Sequence, residues 1–167
     1  GGGEHLAAQA AGHRDIGLIG CEPFINGVAS VLQHIEAERL DNVRLYPDDA
    51  RAVIDALAPG VLARVYVLFP DPWPKARHAK RRFISDANLD ALARVMAPGA
   101  RLTVASDDYG YIRWALARLL AHPAFVWTAE RAADWRERPA DQPPTRYEEK
   151  ARAKGIRPIF LLFRRTG

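Results

Sequence analysis

Short apolar runs alternate with amphipathic stretches along the whole chain, which has 167 residues. Strands are predicted where the apolar runs occur, at residues 16–21, 43–46, 65–69, 101–105, 125–128 and 158–163. Helices are predicted where apolar positions recur at helical spacing, at residues 4–11, 25–39, 49–57, 82–96 and 109–120. This alternation predicts a doubly wound α/β fold with a mostly parallel sheet.

The chain opens with three glycines directly before the first predicted helix. Such glycines are typical of a strand-to-helix turn whose backbone amides and helix N-terminus approach a nucleotide-like ligand, so Gly1 and Gly3 are candidate ligand contacts. Since no strand precedes them, we expect the sheet to lack its first strand. Either the chain is a fragment of a longer protein, or the fold compensates in another way, or the glycines were added artificially.

Length and composition predict a single domain over residues 1–167. The chain, 49% hydrophobic, can bury a substantial core but is too short for two domains of ordinary size. Its single cysteine, Cys21, cannot form an internal disulfide, and its five histidines are too scattered to predict a metal site. It contains neither an apolar run of about 18 residues nor a signal peptide, which predicts a cytoplasmic location without membrane contact.

Acidic side chains follow four of the predicted strands: Glu22, Asp49, Asp71 and Asp107. In doubly wound folds, ligands bind outside the carboxyl ends of the strands, where these acids are expected. Glu22 is placed to accept hydrogen bonds from ribose hydroxyls, and Asp49 from an adenine amino group. Each acid alone is weak evidence, because Asp also caps helices, and capping is the expected role of Asp107 or Asp108.

A pocket with these acids suits a cationic adenosine compound. The sequence has no Gly-Lys-Ser/Thr phosphate loop, and its glycine triplet is not a complete Gly-x-Gly-x-x-Gly. Nucleoside triphosphates and NAD therefore fit less well than S-adenosylmethionine, which combines adenosine with a positively charged sulfonium. We predict S-adenosylmethionine as the cofactor.

The segment at residues 69–82 joins a carboxylate to concentrated positive charge. Prolines on both sides of Asp71 and Trp73 restrict the backbone there. Residues 75–82 hold five Lys or Arg and no acid, whereas residues 1–74 carry five against ten acids. Such a field attracts polyanions, and it fits nucleic acid better than a membrane because no basic amphipathic helix with a wide apolar face accompanies it. An ordinary solvated turn is the alternative.

Four segments of the sequence carry a family resemblance. They are Gly-Gly-Gly-Glu-His-Leu at 1–6, Ile-Gly-Cys-Glu-Pro-Phe at 19–24, Phe-Pro-Asp-Pro-Trp-Pro-Lys at 69–75 followed by Arg-His-Ala-Lys-Arg-Arg at 77–82, and Thr-Arg-Tyr-Glu-Glu-Lys at 145–150. Together they resemble the bacterial tRNA (guanine-N7)-methyltransferases over nearly the whole chain. The resemblance implies a class I methyltransferase fold that uses S-adenosylmethionine to methylate N7 of a guanine in the variable loop of tRNA.

Carried over by position, the resemblance implies cofactor contacts at Glu22, Asp49 and Asp71, and Asp71 is also the catalytic position. The tRNA contacts, extended here to the whole basic run, are expected at Lys75, Arg77, Lys80, Arg81, Arg82, Asp107, Thr145, Arg146, Tyr147 and Glu148. Two features of the family have no counterpart in this chain: the acid on the first strand and the opening glycine of the cofactor loop.

Neutral guanine N7 carries a free lone pair, so methyl transfer requires alignment rather than a base. Asp71 is expected to accept from the guanine edge and to stabilise the positive charge that develops there. Trp73 either stacks on the base or supports the turn.

Two alternatives stay open. One is methylation of a different nitrogen, because Asp-Pro-Trp-Pro is similar to the Asn/Asp-Pro-Pro-aromatic turn of amino-group methyltransferases. The other is a non-catalytic RNA-binding protein on a degenerate methyltransferase fold. The sequence does not decide between a monomer and a homodimer.

Overall fold

The computed structural model describes all 167 residues, and the chain divides into two compact units. The first comprises Gly1–Val53 with Ala140–Lys150, and the second comprises Ile54–Pro139 with Ala151–Gly167. The prediction of a single domain over residues 1–167 stays a prediction. None of the helices combines the length and the apolar character that a membrane crossing requires.

The first unit is built on two parallel strands and two helices. Helix α1 spans Glu4–Gly12, strand β1 spans Leu18–Cys21, α2 spans Ile25–Glu38 and β2 spans Val43–Tyr46. The strands pair in register, with Leu18 opposite Val43 and Cys21 opposite Tyr46. Small side chains allow α1 to pack closely, and the buried cluster is Ala7, Ala10, Leu40 and Val43.

The second unit holds a four-stranded sheet in the order β3-β4-β6-β5. Its strands are β3 (Leu62–Leu68), β4 (Met96–Ser106), β5 (Phe125–Trp127) and β6 (Ile159–Arg165). β3 and β4 are parallel, whereas β6 is antiparallel to both β4 and β5. Its core is made by the central strands and the apolar faces of two helices, and Leu89, Leu92, Leu102, Val104 and Leu119 are at most 1% exposed.

Three helices of the second unit start where the sequence provides caps or turns. Helix α4 (Asp86–Val95) is capped by the Ser85 hydroxyl, and α5 (Tyr109–Ala121) by the Asp108 carboxylate. A short α6 spans Ala132–Arg136. Two further helices, α3 (Ala50–Ala56) and α7 (Arg146–Ala153), contain the boundaries between the units.

The doubly wound α/β prediction is confirmed, with differences in detail. β1 pairs only with β2 and β3 only with β4, so the strands form two separate sheets, and the absence of a first strand stays a prediction. β1 begins at Leu18 instead of residue 16, because the Asn42 amide donates to the carbonyls of His13 and Ile16 and holds them in a turn. β4 begins at Met96, immediately after α4, and α6 and α7 were not predicted.

Acidification should lower the stability of the protein through His5. His5 is 8% exposed, and burial lowers its pKa to about 4, although the charge of Asp141 opposes the shift. The unfolded chain takes up this proton near pH 6.5, so between about pH 6.5 and 4 the unfolded state binds more protons. The free energy of unfolding should therefore fall as the pH is lowered through this window, by up to about 3 kcal/mol.

Urea unfolding at about pH 7.5 and about pH 5 measures this loss. His5→Asn should lose less stability than the wild type over the same interval. His34→Asn, on partly exposed α2, is the matched control and should keep the wild-type loss. An identical loss in the wild type and in His5→Asn would contradict the assignment to His5.

Candidate active site

The three glycines form a turn that packs directly against α2. Gly3 has φ of +92°, which favours glycine, and a Cβ there would lie 2.7 Å from a Val31 methyl carbon and 3.0 Å from the Val31 Cα. The Ser30 hydroxyl donates to the Gly2 carbonyl at 2.7 Å. Close packing and the φ angle together explain why glycine is required at Gly3.

Glu22 follows β1 and lies beside this turn. Its backbone amide donates to the Tyr46 carbonyl at 3.1 Å, which fixes its position at the carboxyl end of the two parallel strands. The carboxylate accepts from the Phe24 amide at 2.7 Å and forms an ion pair with the amino group of Gly1, and the side chain is 12% exposed. The structure therefore brings two predicted cofactor contacts, Gly1 and Glu22, into direct contact.

Asp49 follows β2 in the same unit and is the more exposed acid. One carboxylate oxygen accepts from the Arg51 amide at 2.9 Å, and the other contacts the Arg51 guanidinium at 2.5 Å. The pKa of Cys21, at the end of β1, is raised by burial and then by the negative charge of Asp49. Asp49 thus lies at the same strand edge as Glu22, with its side chain 49% exposed.

In the second unit, Asp71 and Asp107 follow neighbouring parallel strands. The Phe69 amide donates to the Ala105 carbonyl at 2.8 Å, so the two strands stay paired up to this edge. Asp71 is exposed and Asp107 half-buried. Of the two acids that follow β4, it is Asp108 that caps α5, with its carboxylate accepting from the Tyr111 amide at 2.7 Å.

The turn that carries Asp71 has an unusual backbone. Phe69 has φ of +50° and Trp73 has φ of +42°, both in the left-handed region. A residue other than glycine is destabilised there by about 1–2 kcal/mol. Proline residues before and after Trp73 cannot donate backbone hydrogen bonds. The turn therefore depends on contacts from outside itself.

The basic run after this turn forms a 3-10 helix, Ala76–Arg81, and its cationic side chains divide into two groups. Lys75, Arg77, Lys80 and Arg81 are exposed. Arg82, in contrast, is 9% exposed and donates to the carbonyls of Pro72 and Trp73. Arg82 thus differs from the prediction that all five cations face tRNA, because its guanidinium is buried and already bonded to backbone.

Trp73 is packed by neighbours from the basic run. The Arg81 guanidinium lies 4.8 Å from its ring centroid, and the His78 ring lies 5.7 Å away, tilted by 47°. Both contacts are local, so Trp73 has a structural role in the turn. Stacking of Trp73 on a base stays a prediction.

The predicted tRNA segment at residues 145–148 is the start of α7, in the first unit. The Thr145 hydroxyl accepts from the Glu148 amide at 3.2 Å, and both side chains are buried, 8% and 2% exposed. Thr-x-x-Glu is the sequence pattern of a capping box, so the same residues that predict tRNA contact also begin a helix. Arg146 and Tyr147 are exposed instead, and the Tyr147 ring lies against Gly1.

Comparison with known proteins bears on what this arrangement does. A family model described as "Putative methyltransferase" matches residues 1–161. A tRNA (guanine-N(7)-)-methyltransferase of Rhodospirillum rubrum is 58% identical over 99% of the chain, and one of Rhizobium meliloti is 50% identical over 99%. The chain spans 65% and 72% of the lengths of these two relatives.

The chain belongs to the tRNA (guanine-N7)-methyltransferase family. Solved structures agree on the fold of this family member. An rRNA methylase from Streptococcus thermophilus matches 100% of the chain and 82% of its own length with a TM-score of 0.64 at 10% identity. The [4+2]-cyclase SpnF matches 99% and 72% with a TM-score of 0.59 at 14% identity. The class I methyltransferase fold is thereby confirmed, and because a cyclase shares it, the fold alone does not define the reaction.

Gly27, which the sequence pattern did not single out, packs against two predicted site residues, Glu22 and Gly1. It lies in the first turn of α2, where a Cβ would lie 2.7 Å from the Glu22 Cγ and 2.8 Å from the Gly1 carbonyl oxygen. A glycine inside a helix is unfavourable by itself, which is the signal that was available. Its absence of a side chain lets α2 approach Glu22 and Gly1.

Gly27→Ala should destabilise the first unit of the protein and displace Glu22. Contacts of 2.7–2.8 Å cannot be kept, and overpacking of this kind costs about 1–3 kcal/mol. Gly12→Ala is the matched control, since a Cβ there meets nothing within 4 Å. The free energy of unfolding in urea measures both changes, and equal values for the two variants would contradict the close approach at Gly27.

Proposed function

We propose that the protein transfers the methyl group of S-adenosylmethionine to N7 of a guanine in the variable loop of tRNA, in the cytoplasm. The family membership supports the reaction. The observation that carries it is an exposed Asp71 at the carboxyl end of β3, followed within the same turn by exposed cationic side chains. A carboxylate adjacent to a phosphate-binding surface is what methylation of a base within a polyanion requires.

The first unit fits the proposed cofactor. Gly3 and Gly27 let the glycine turn, α2 and Glu22 pack closely together, so that turn backbone and a carboxylate lie side by side where a nucleoside would bind. Glu22 holds a carboxylate at a strand end among N–H donors, so it can accept from ribose hydroxyls, and Asp49 is placed at the same edge. When bound, S-adenosylmethionine supplies an electrophilic methyl group on a sulfonium.

Asp71 is the residue we place against the guanine. Because N7 has a free lone pair, the carboxylate has no proton to remove and acts by orientation and charge. It accepts from the N–H groups of the base edge and stabilises the positive charge that the guanine acquires on methylation. The restricted backbone around Asp71 holds the carboxylate in place before the substrate arrives.

The exposed cations of the 3-10 helix region, Lys75, Arg77, Lys80 and Arg81, are placed on tRNA phosphates. Arg146 and Tyr147 supply a further exposed pair, with the guanidinium 5.8 Å from the ring centroid. Thr145 and Glu148 act by capping α7, which presents Arg146 and Tyr147 to the solvent. Asp107 follows β4, the strand paired with the one that Asp71 follows, and we assign it a contact with the guanine base.

Asp71→Ala should abolish most methylation while tRNA binding persists. Loss of one preorganised charge-stabilising group typically costs about 10²–10³ in rate. The measurement is methyl transfer to tRNA transcript, with nucleoside analysis of the product and a separate filter-binding assay for tRNA. Asp55→Ala, an exposed acid on α3, is the control and should behave as the wild type.

Near-normal turnover by Asp71→Ala would contradict the role of Asp71. Appearance of the methyl group on another nitrogen would favour the amino-group alternative. Binding of tRNA without any methylated product from the wild-type protein would favour the non-catalytic alternative.

Removing two exposed cations, Arg77→Ala with Lys80→Ala, should weaken tRNA binding and flatten its salt dependence. Each lost phosphate contact should reduce the slope of log affinity against log salt by about 1, so a reduction of about 2 is expected. S-adenosylmethionine affinity should not change. Fluorescence titration at several salt concentrations measures the slope.

Arg164→Ala, which removes one exposed cation outside the basic run, is the control. Arg164 is exposed on β6 and pairs with Arg101 in the middle of β4, whereas Asp107 follows the end of that strand. Its loss should leave the slope close to that of the wild type. If the double variant keeps the wild-type slope, the basic run does not contact tRNA.

A further inference from the structure

We infer that Arg82 is a positioning residue that holds the backbone of the Asp71 turn and does not contact tRNA. The inference rests on the proposed function, because the turn matters for catalysis only if Asp71 faces the guanine. It assigns adjacent residues of the basic run to different tasks: Arg81 is exposed, whereas Arg82 is buried.

The Arg82 guanidinium binds the two carbonyls that directly follow Asp71. Its Nε donates to the Pro72 oxygen at 2.9 Å and to the Trp73 oxygen at 3.3 Å, and one Nη donates to the Trp73 oxygen at 3.0 Å. Prolines flank Trp73, so the neighbouring backbone offers few donors to these carbonyls. The forked guanidinium supplies these donors and fixes the Pro72 and Trp73 peptide groups relative to each other.

Arg82 is itself held by α5. Its guanidinium lies 4.6 Å from the ring centroid of Trp114, and the Trp114 indole N–H donates to the Ile84 carbonyl at 2.7 Å. The buried Tyr111 hydroxyl accepts from the Ile84 amide at 3.3 Å. A continuous series of contacts thus connects the core helix α5 through Arg82 to the turn of Asp71.

This arrangement requires arginine rather than any cation. A lysine keeps the charge but has neither the planar fork that reaches both carbonyls nor the flat face that stacks on Trp114. The left-handed backbone of Trp73, with φ of +42°, persists only where surrounding contacts hold it, and the two bonds to its carbonyl are such contacts. Loss of the fork should let the turn relax and move Asp71.

The kinetic test uses Arg82→Lys and Arg82→Ala in the full chain. Both should lower kcat by about 10- to 100-fold and leave KM for tRNA within about twofold, because misplacement by about 1 Å affects the reacting geometry more than binding. A phosphate contact predicts a different pattern: Arg82→Ala would raise KM and flatten the salt slope, and Arg82→Lys would restore both. That pattern would overturn the inference. Arg81→Lys and Arg81→Ala are the matched comparison, and these two variants should show the pattern of a phosphate contact.

A second measurement does not depend on activity. The chain has four tryptophans, and incorporation of 5-fluorotryptophan gives each a separate ¹⁹F resonance, assigned by Trp→Phe variants. Arg82→Lys should shift the Trp73 and Trp114 resonances. Trp127, packed on Phe163, and Trp135, packed on Arg136, should not change. An unshifted Trp73 resonance would overturn the inference.

If neither Arg82 variant folds, Trp114→Phe gives the decision. It removes the indole N–H that donates to the Ile84 carbonyl and shrinks the ring beneath the Arg82 guanidinium, so the Trp73 fluorine resonance should shift and kcat should fall with KM unchanged; an unshifted Trp73 resonance together with wild-type kcat would overturn the inference. Failure of the wild-type protein to methylate guanine N7 would refute the proposed function alone. The fluorine spectra would then still decide whether Arg82 holds the turn.

Discussion

The parallel pairing of β3 with β4 is the constraint on which the second unit depends. It aligns the carboxyl ends of both strands, and the bond from the Phe69 amide to the Ala105 carbonyl extends the pairing to the first residue after β3. Asp71 and Asp107 consequently emerge at one edge. If the strands slipped by one residue, these side chains would exchange faces and the 3-10 helix would start from a different place.

Pairing alone does not fix Asp71, because the chain leaves the sheet before reaching it. Prolines stiffen the turn but remove its backbone donors, so its carbonyls must be satisfied by side chains. Arg82, a member of the basic run, donates to these carbonyls, so no further helix, strand or loop is required to satisfy them. The same segment therefore provides both a support for the turn and an exposed positive surface, and burial distinguishes the two uses.

The order of the strands and of helices α1–α5 was predictable because each strand contains a short apolar run and each of these helices has apolar positions at helical spacing. The positions of Asp71 and Asp107 followed from the same pattern, since parallel strands end at one edge. The separate role of Arg82 was not predictable. Five cations in eight positions are equivalent in sequence, and the ring that buries Arg82 lies on Trp114, more than thirty residues further along the chain. The role of Gly27 was also not predictable, because its close contacts with Gly1 and Glu22 appear only once the chain is folded.

The segment at residues 145–148, which the sequence predicted to contact tRNA, also contains a folding signal. Thr145 and Glu148 are buried and begin α7, and the residues between them are exposed because the capped helix turns them outward. Arg82 and Arg81 have the same relation, with the buried residue holding backbone and its neighbour facing solvent. In both segments the buried residues hold the backbone that presents the exposed ones to solvent. Their replacement should therefore be compensated by any residue that restores the backbone contact, whereas an exposed member is replaceable only by a residue of the same charge or ring.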